Sequence, residues 1–249
     1  MKQDWKDMKK LAMGQRTYSS RSLHGQVVHE LGKRIVTGDI DEGAVLPNET
    51  ELGASFAVSR TALREGIKVL AAKGLLASRT RTGTRVRPRN EWNMLDPDVM
   101  AWQLSSGQPH KFLNDLVEFR RAVEPLAASL AAQRATDADV QVIKQAYDDM
   151  ELAGSDIGAG VLPDLRFHQG IFHASGNELL APLGTLTEAA LSVSFRVLTS
   201  ETKQESLRLH KAVLEAIQTR DSAAAQSAMT ALLDATQHRV TSLMEETVQ

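Results

Sequence analysis

The residues best suited to chemistry lie in the stretch PDLRFHQGIFHASGN, residues 163–177, which holds one aspartate and two of the chain's seven histidines. Asp164 and His168 are four residues apart, so a helix would place both on one face, where they can bind the same metal ion. His173 is nine residues from Asp164, on the opposite side of such a helix, and we interpret it as a packing or surface residue. A metal site needs a third ligand, and the spacing leaves three histidines open: His110, His210 and His238.

Residues 59–73, SRTALREGIKVLAAK, carry a second pattern with chemical meaning. Three basic residues recur at intervals of four and would share one helix face: Arg60, Arg64 and Lys68. Arginines on such a face can each donate two hydrogen bonds to a guanine edge in the major groove of DNA. Thr61 and the helix N-terminus would suit a phosphate. The alternative interpretation is an ordinary solvated cationic face.

The neighbouring segments favour DNA binding. Helices are predicted before and at this stretch: 23–37, about 49–56 and 59–73. The runs LLASRT and TRVRP then predict a hairpin around Gly83. Three helices and a hairpin make a winged helix-turn-helix domain, which we place at residues 21–89. Basic side chains of the wing would contact the DNA backbone or minor groove: Arg79, Arg81 and Arg85.

Charge is distributed unequally between the two halves of the chain. Residues 1–90 contain 17 Lys and Arg against 9 Asp and Glu, whereas residues 91–249 contain 12 against 22. This asymmetry favours a polyanion-binding domain followed by a domain with another role. Residues 1–20 are interpreted as a flexible basic tail, because they lack the apolar core and cleavage site of a secretory signal.

Composition excludes several kinds of site and protein. The chain has no cysteine, so disulfides and thiolate zinc sites are excluded. No apolar run approaches the roughly 18 residues that a membrane helix needs. Together these features favour a cytoplasmic protein.

The second half is predicted to be entirely helical. The sequence PRNEWNMLDPDV interrupts regular structure, so we place a linker at residues 90–97 and a bundle of six to seven helices at residues 98–249. Pro125 lies inside the second of these helices and should bend it or start a new turn. The predicted fold class is therefore mostly α. The predicted helices are 98–106, 110–134, 136–153, 163–175, 177–200, 203–219 and 221–247.

Residues 35–86 resemble the DNA-binding domain of the GntR family of transcriptional regulators almost end to end. The matching features are the G…G..LP loop, the following EL pair, VSRTALRE at 58–65, the L..KGL stretch and the G-T-x-V wing tip. The resemblance implies four functional positions, with DNA contacts at Arg60, Thr61 and Arg64 and with Gly83 shaping the wing. Thr50 departs from the family pattern, which often has arginine there, so a contact from the second helix would be lost or made only by the hydroxyl.

The second half resembles the FCD domain, the ligand-binding domain of the FadR subfamily. The resemblance rests on LVEFRRAVEPLAASLAAQRAT, DLRFHQGIFHASGNELL and LRLHKAVLEAIQTRDSAAAQSAM. It implies a divalent metal ion bound by three residues: Asp164, His168 and His210. Such ligands suit zinc, which we expect, and also nickel or manganese. Many members have a further histidine in the final helix, but Leu232 occupies that position here, and His238, six residues on, is a poor substitute.

Three protein ligands leave room on the ion for an effector oxygen. An organic acid with a neighbouring hydroxyl could chelate the ion, and Arg120 could pair with its carboxylate. The resemblance implies Arg120 as an effector contact, with Ser206 and Arg239 as further candidates. The alternative for Arg120 is a surface salt bridge with Glu124, four residues on. The stretch PRNEWNMLDPDVMAWQL resembles that of family members that respond to sugar acids, which implies D-galactonate or a related aldonate as effector.

The sequence therefore predicts a homodimeric DNA-binding repressor of a sugar-acid catabolic operon, released from its operator when the effector binds. One alternative keeps the DNA-binding regulator but makes the metal structural and the effector a different small organic acid. A metal-dependent hydrolase or lyase is a further alternative. Against it, no H-E-x-x-H or comparable pair supplies a general base, so we expect a regulator and not an enzyme.

Overall fold

The computed structural model describes residues 22–79, 83–106, 109–154, 156–185 and 200–247. Helices dominate these residues, and their two strands form one small sheet, which confirms the mostly helical fold. The chain separates into two compact units between Pro109 and His110. Among the residues just given, no helix is long and apolar enough to cross a membrane.

The N-terminal unit is a winged helix-turn-helix with an additional helix. Its helices are α1, Leu23–Val36; α2, Glu49–Phe56; α3, Arg60–Ala72; and α4, Pro97–Leu104. The wing consists of β1, Leu76–Arg79, and β2, Gly83–Val86. These strands pair antiparallel, with Leu76 opposite Val86. Gly83 has a φ of +79°, a left-handed conformation that favours glycine where the chain enters β2.

Side-chain caps fix where the first three helices begin. Ser22, Asn48 and Ser59 each accept a hydrogen bond from a backbone N–H in the first turn of the helix that follows. A cap of this kind stabilises a helix by about 1 kcal/mol. Between α2 and α3, Ala57 adopts a left-handed φ of 52°, which ends α2 and turns the chain into α3.

The linker predicted at residues 90–97 is packed into the N-terminal unit, and so is α4, which the sequence assigns to the second domain. Trp92, Val99 and Trp102 are buried in the same hydrophobic core as α1 and α3. A Cβ added at Gly32 would lie 2.3 Å from the Trp102 ring, so α4 packs very closely on α1. The physical reason is the apolar area of the two tryptophans, whose burial outweighs the polar composition of the segment.

A buried ion cluster fastens the end of α3 to this same segment. Lys73, the C-cap of α3, is 4% exposed, and its Nζ lies 2.8 Å from Oδ2 of both Asp96 and Asp98. Gly74 has a φ of +79°, and a Cβ there would lie 2.5 Å from the Glu91 carbonyl oxygen. Charge pairing and close backbone packing therefore hold the chain that follows the wing against the end of α3.

The C-terminal unit is a helical bundle. Its core combines buried alanines of the helix Pro109–Arg134, named α5, with larger side chains of the other helices, such as Phe167, Ile143 and Leu233. Because alanine is small, the neighbouring helices can pack closely against α5. The helices are α5, Pro109–Arg134; α6, Asp137–Leu152; α7, Ile157–Ala174; α8, Ser200–Gln218; and α9, Ser222–Thr247.

Two prolines lie inside helices of the C-terminal unit. The helix α5 continues through Pro125 as a single helix and starts no new element there. The helix α7 begins at Ile157, ahead of the predicted start at Pro163, which lies inside it. Asp156 accounts for the earlier start, because its side chain caps the first turn by accepting a hydrogen bond from Ala159 N.

The helix predicted at residues 177–200 is wrong in its first part. Residues Ala181–Thr185 form a short 3-10 helix, and residues 186–199 lie outside the described residues. Asn177 provides the physical reason, since its Oδ1 accepts a hydrogen bond from Leu179 N at 2.9 Å. Such a local bond from side chain to backbone stabilises a turn in competition with a helix.

Candidate metal centre and nucleic-acid interface

Asp164 and His168 of α7 meet His210 of α8 inside the C-terminal unit. Their exposed fractions are 5%, 2% and 3%. One potential ligand atom from each residue lies within 4.8 Å of the other two. The four-residue spacing on α7 brings the first two together, and the packing of α8 supplies the third. The three side chains therefore have the composition and spacing of a metal centre.

The surroundings of both imidazoles favour Nε2 as the metal-binding atom. His210 Nδ1 lies 2.7 Å from the Ser206 carbonyl oxygen, and His168 Nδ1 lies 2.7 Å from Glu124 Oε2. Acceptors in these positions favour a proton on Nδ1, which leaves the Nε2 lone pair free. On the Asp164 side, His210 Nε2 is 2.8 Å from Oδ1 and His168 Nε2 is 3.9 Å from Oδ2. Carbonyl and carboxylate oxygens that orient histidine in this way are typical of metal sites.

Several buried polar atoms of this cluster have no hydrogen-bond partner within the described part of the chain. They are Asp164 Oδ2, His210 Nε2, His168 Nδ1 and Arg120 Nη1. Both ring nitrogens do lie at ion-pair distance from a carboxylate oxygen, His168 Nδ1 from Glu124 and His210 Nε2 from Asp164, but neither contact counts as a hydrogen bond. A buried polar atom left unpaired is costly, so such a cluster calls for a ligand. A divalent cation would satisfy Asp164 and His210, and the residues present therefore fit a metal ion.

Electrostatics keep the two buried carboxyl groups ionised. Burial alone would raise the pKa of Glu124, but the Arg120 guanidinium and His168 outweigh it and lower this pKa to about 2. Burial likewise opposes ionisation of Asp164, and its pKa is lowered by His210, His168 and Arg120. A carboxylate is the form that binds a metal ion, so Asp164 has the ionisation state that a metal site would require.

Arg120 does pair with Glu124, but the pair is buried and not on the surface. Their side chains are 2% and 1% exposed, and Arg120 Nε lies 2.5 Å from Glu124 Oε1. Glu124 thus contacts both Arg120 and His168, and sequence reasoning missed this second role. The i,i+4 spacing of Arg120 and Glu124 was the available signal, but only the packing of α5 against α7 reveals the histidine contact.

The remaining candidate residues of this half lie at varying distances from the centre. Ser206 contacts His210 mainly through its backbone carbonyl, while its hydroxyl is 3.4 Å from Nδ1. Arg239 is half-buried, and burial lowers its pKa against the opposing effect of Glu205 and Asp164. Leu232 is buried in the hydrophobic core. His173 and His238 are exposed, and neither joins the described cluster.

The predicted DNA-binding residues of α3 form one exposed surface. Arg60, Thr61, Arg64 and Lys68 are all exposed. In the wing, Gly83 is exposed, and Arg85 donates a hydrogen bond through Nη1 to the Gly43 carbonyl at 2.7 Å. Of the other two wing arginines, Arg81 and the side chain of Arg79 lie outside the described residues.

A winged helix-turn-helix with a basic exposed helix, followed by a separate helical unit, defines a two-domain DNA-binding regulator. The chain belongs to the GntR family of bacterial regulatory proteins. Residues 23–86 match the model of that family, and residues 115–235 match the FCD domain. Both matches confirm the resemblance stated from the sequence.

Relatives of similar length support this assignment. The uncharacterized HTH-type transcriptional regulator YieP of Escherichia coli (strain K12) is 33% identical over 88% of this chain and 96% of its own length. The galactonate operon transcriptional repressor of the same strain is 34% identical over 85% and 94%. A GntR structure from Streptococcus agalactiae has 26% identity and a TM-score of 0.51, covering 86% of this chain and 99% of that one. The protein is therefore a transcriptional regulator that binds operator DNA, and not an enzyme.

Proposed function

We propose that this protein is a homodimeric repressor that leaves its operator when a sugar acid, D-galactonate or a related aldonate, binds at a divalent metal ion in the C-terminal unit. The observation that carries this proposal is the convergence of buried atoms without hydrogen-bond partners: Asp164 Oδ2, His210 Nε2 and Arg120 Nη1. Two of these atoms suit a cation, and the third suits an anion. Together they match a metal ion and a bound carboxylate.

Three residues of the chain would hold the ion, through an oxygen of Asp164 and the Nε2 atoms of His168 and His210. Zinc is the proposed metal, and nickel or manganese accept the same donors. Such an ion would supply a positive centre that binds carboxylate and hydroxyl oxygens together. Arg120 would orient the effector by donating from Nη1 to its carboxylate. Ser206 and Arg239 are proposed as further effector contacts, since Ser206 contacts His210 and Arg239 interacts electrostatically with Asp164.

For DNA binding, we propose contacts from the exposed surface of α3 and from the wing. The contacting residues would be Arg60, Thr61, Arg64, Lys68, Gly83 and Arg85. A homodimer would present two recognition helices to half-sites about one helical turn apart. The effector can release DNA only to the extent that it binds the non-binding conformer more tightly. The galactonate operon repressor among the relatives supports both the repressor role and the choice of effector.

The test is fluorescence anisotropy of the zinc-loaded protein on DNA from upstream of its own gene, at stated salt concentration. We expect specific binding that D-galactonate reverses and gluconate does not. Arg120→Gln should abolish the response to galactonate while DNA binding persists. Arg121→Gln is the matched control, because Arg121 is half-exposed and pairs with Asp234 instead. Specific binding that ignores galactonate would remove the effector assignment and leave the DNA-binding regulator intact.

A structural metal with a different organic acid as effector remains a second candidate. The burial of all three ligands favours it, because a structural ion is typically enclosed by the protein. Chelation separates the two proposals. A structural metal predicts lower unfolding stability after chelation, with effector affinity falling no further than the loss of folded protein explains. A metal that binds the effector predicts loss of effector affinity in protein that is still folded, as seen by circular dichroism.

A further inference from the structure

The first turn of α2 contacts two of the basic residues on α3. Arg64 Nε donates to both carboxylate oxygens of Glu49, at 2.9 and 3.1 Å. Arg60 Nη2 lies 3.4 Å from Thr50 Oγ1. Two adjacent residues of α2 thus hold two arginines that are one helical turn apart on α3.

We propose that Glu49 is a positioning residue for DNA recognition, which holds Arg64 by its Nε edge so that the guanidinium binds a base and not a phosphate. The inference rests on the proposed role of α3 as the recognition helix. It assigns a function to an acidic residue that lies beside the exposed arginines of α3. It also gives Thr50 a role within the protein, as a partner of Arg60.

The hydrogen bonds of Arg64 leave its base-reading end free. An arginine side chain has five N–H donors, and Glu49 occupies the one on Nε. The terminal nitrogens of Arg64 make no hydrogen bond to the described residues. Donors at the tip of the side chain are the ones that can form two bonds to guanine O6 and N7. Fixing the side chain in advance also reduces the conformational entropy lost when DNA binds.

The negative charge of Glu49 also favours binding of Arg64 to a base over binding to a phosphate. A carboxylate paired with Arg64 cancels much of its attraction for phosphates, which is independent of sequence. The contribution of Arg64 then depends on directed hydrogen bonds, and these depend on the base. Glu49 itself is held at the start of α2, where the helix dipole favours an acidic side chain and Asn48 caps the turn. The pair is exposed, at 63% and 41%, so its loss should leave the fold intact.

The experiment compares Glu49→Gln with the wild type on DNA from upstream of the protein's own gene and on random DNA, over a range of salt concentrations. In the variant, we expect Arg64 to bind a phosphate. The slope of log affinity against log salt on random DNA should steepen by about 0.9, the value for one additional phosphate contact. The ratio of specific to random affinity should fall roughly tenfold, within the contribution of one bidentate base contact.

Glu51→Gln is the matched control, because it removes the same charge from the same helical turn. Glu51 is exposed and has no ion pair with the described residues. We expect this control to change both affinities by a similar factor and to leave their ratio unchanged. If Glu49→Gln behaves in the same way as Glu51→Gln, the positioning role is overturned and Glu49 acts only through general charge.

Arg64→Ala separates this proposal from the one on which it rests. Unchanged operator affinity in Arg64→Ala would overturn the recognition face itself, and the positioning role with it. If Arg64→Ala does weaken operator binding, the double variant becomes decisive. Glu49→Gln should then have no further effect on the affinity ratio in the Arg64→Ala background. A ratio that still changes in that background would show that Glu49 does not act through Arg64.

Discussion

The two units each bury a cluster of charged side chains, and the two clusters differ in how completely the protein pairs them. In the N-terminal unit, Lys73 lies between Asp96 and Asp98. None of these three residues has a buried atom among those left without a hydrogen bond in the described part of the chain. In the C-terminal unit, the cluster around Asp164 and Arg120 leaves several such atoms.

This difference distinguishes a structural cluster from a ligand site. A buried charge is tolerated when its partners satisfy it, because desolvation otherwise costs several kcal/mol per ion. The lysine cluster meets this condition within the protein and fastens α3 to the segment that follows the wing. The cluster around Asp164 meets it only in part, and an added cation and anion would complete it. Unpaired buried atoms therefore support the proposed binding site more directly than residue types do.

The largest effect should follow from breaking the structural cluster. Lys73→Met removes the only cation of this trio and leaves two carboxylates close together in a buried site. We expect the free energy of unfolding of the N-terminal unit to fall by about 3–5 kcal/mol. Urea denaturation followed by tryptophan fluorescence measures it, since Trp92 and Trp102 both lie in the core of this unit. A loss below about 1 kcal/mol would mean that the cluster is not needed for stability.

The second effect concerns acid stability of the metal-free C-terminal unit. The pKa of Glu124 is about 2 in the folded protein and near its ordinary value of 4.5 when unfolded. The unfolded chain therefore takes up the proton first, so the stability from this group is complete above about pH 4.5 and is lost as pH falls towards 2. The total is on the order of 3 kcal/mol.

Chelator-treated wild type and Glu124→Gln should be unfolded in urea at several pH values between about 6 and 3. Over the lower part of this range, the wild type should show an additional slope of up to about 1.4 kcal/mol per pH unit, which corresponds to one proton. Equal slopes in the two proteins would contradict the lowered pKa of Glu124.

A smaller effect should appear in metal affinity. Glu124→Gln replaces the carboxylate beside His168 Nδ1, and the loss of such an orienting group lowers metal affinity by about 10- to 100-fold. Titration calorimetry with zinc measures this change. Glu118→Gln, on the exposed side of α5, is the matched control and should leave the affinity unchanged. Equal zinc affinity in both variants would show that Glu124 does not orient the imidazole of His168 for zinc binding.

The smallest effect is expected at an exposed ion pair. Lys68 Nζ lies 2.8 Å from Glu65 Oε1, as short as the contacts of Lys73, but the two side chains are 72% and 52% exposed. Water screens such a pair, so Lys68→Met should leave the free energy of unfolding almost unchanged. Urea denaturation of Lys68→Met and Lys73→Met side by side tests whether burial, and not distance, determines how much each ion pair contributes to the free energy of unfolding.

The elements and residues that the sequence could predict are those governed by local spacing. Its pattern located α3, and the pairing of Asp164 with His168 needed only helical periodicity. His210 lies 42 residues after His168, so spacing left it as one of three candidates, and the family resemblance selected it. Glu124 was not predicted as a partner of His168, because that contact depends on how α5 packs against α7.

The first domain boundary shows a different limit of sequence reasoning. Two prolines and several polar residues between residues 88 and 99 led to the prediction of an exposed linker at residues 90–97. Trp92 and Trp102 instead fill the core of the N-terminal unit. Composition reports only the average polarity of a segment. Whether the segment packs into a core depends on a few large side chains and on cavities that form only after folding.

The attachment of residues 92–104 to the N-terminal unit has a practical consequence for protein engineering. A chimera that joins this DNA-binding unit to another sensor domain has to carry α4 with it. A junction at residue 90 would delete both aspartates that pair with Lys73 and both tryptophans of the core, and would expose the apolar surface that these tryptophans cover. A junction after Leu104 keeps all of these groups, so the DNA-binding unit is transferred intact.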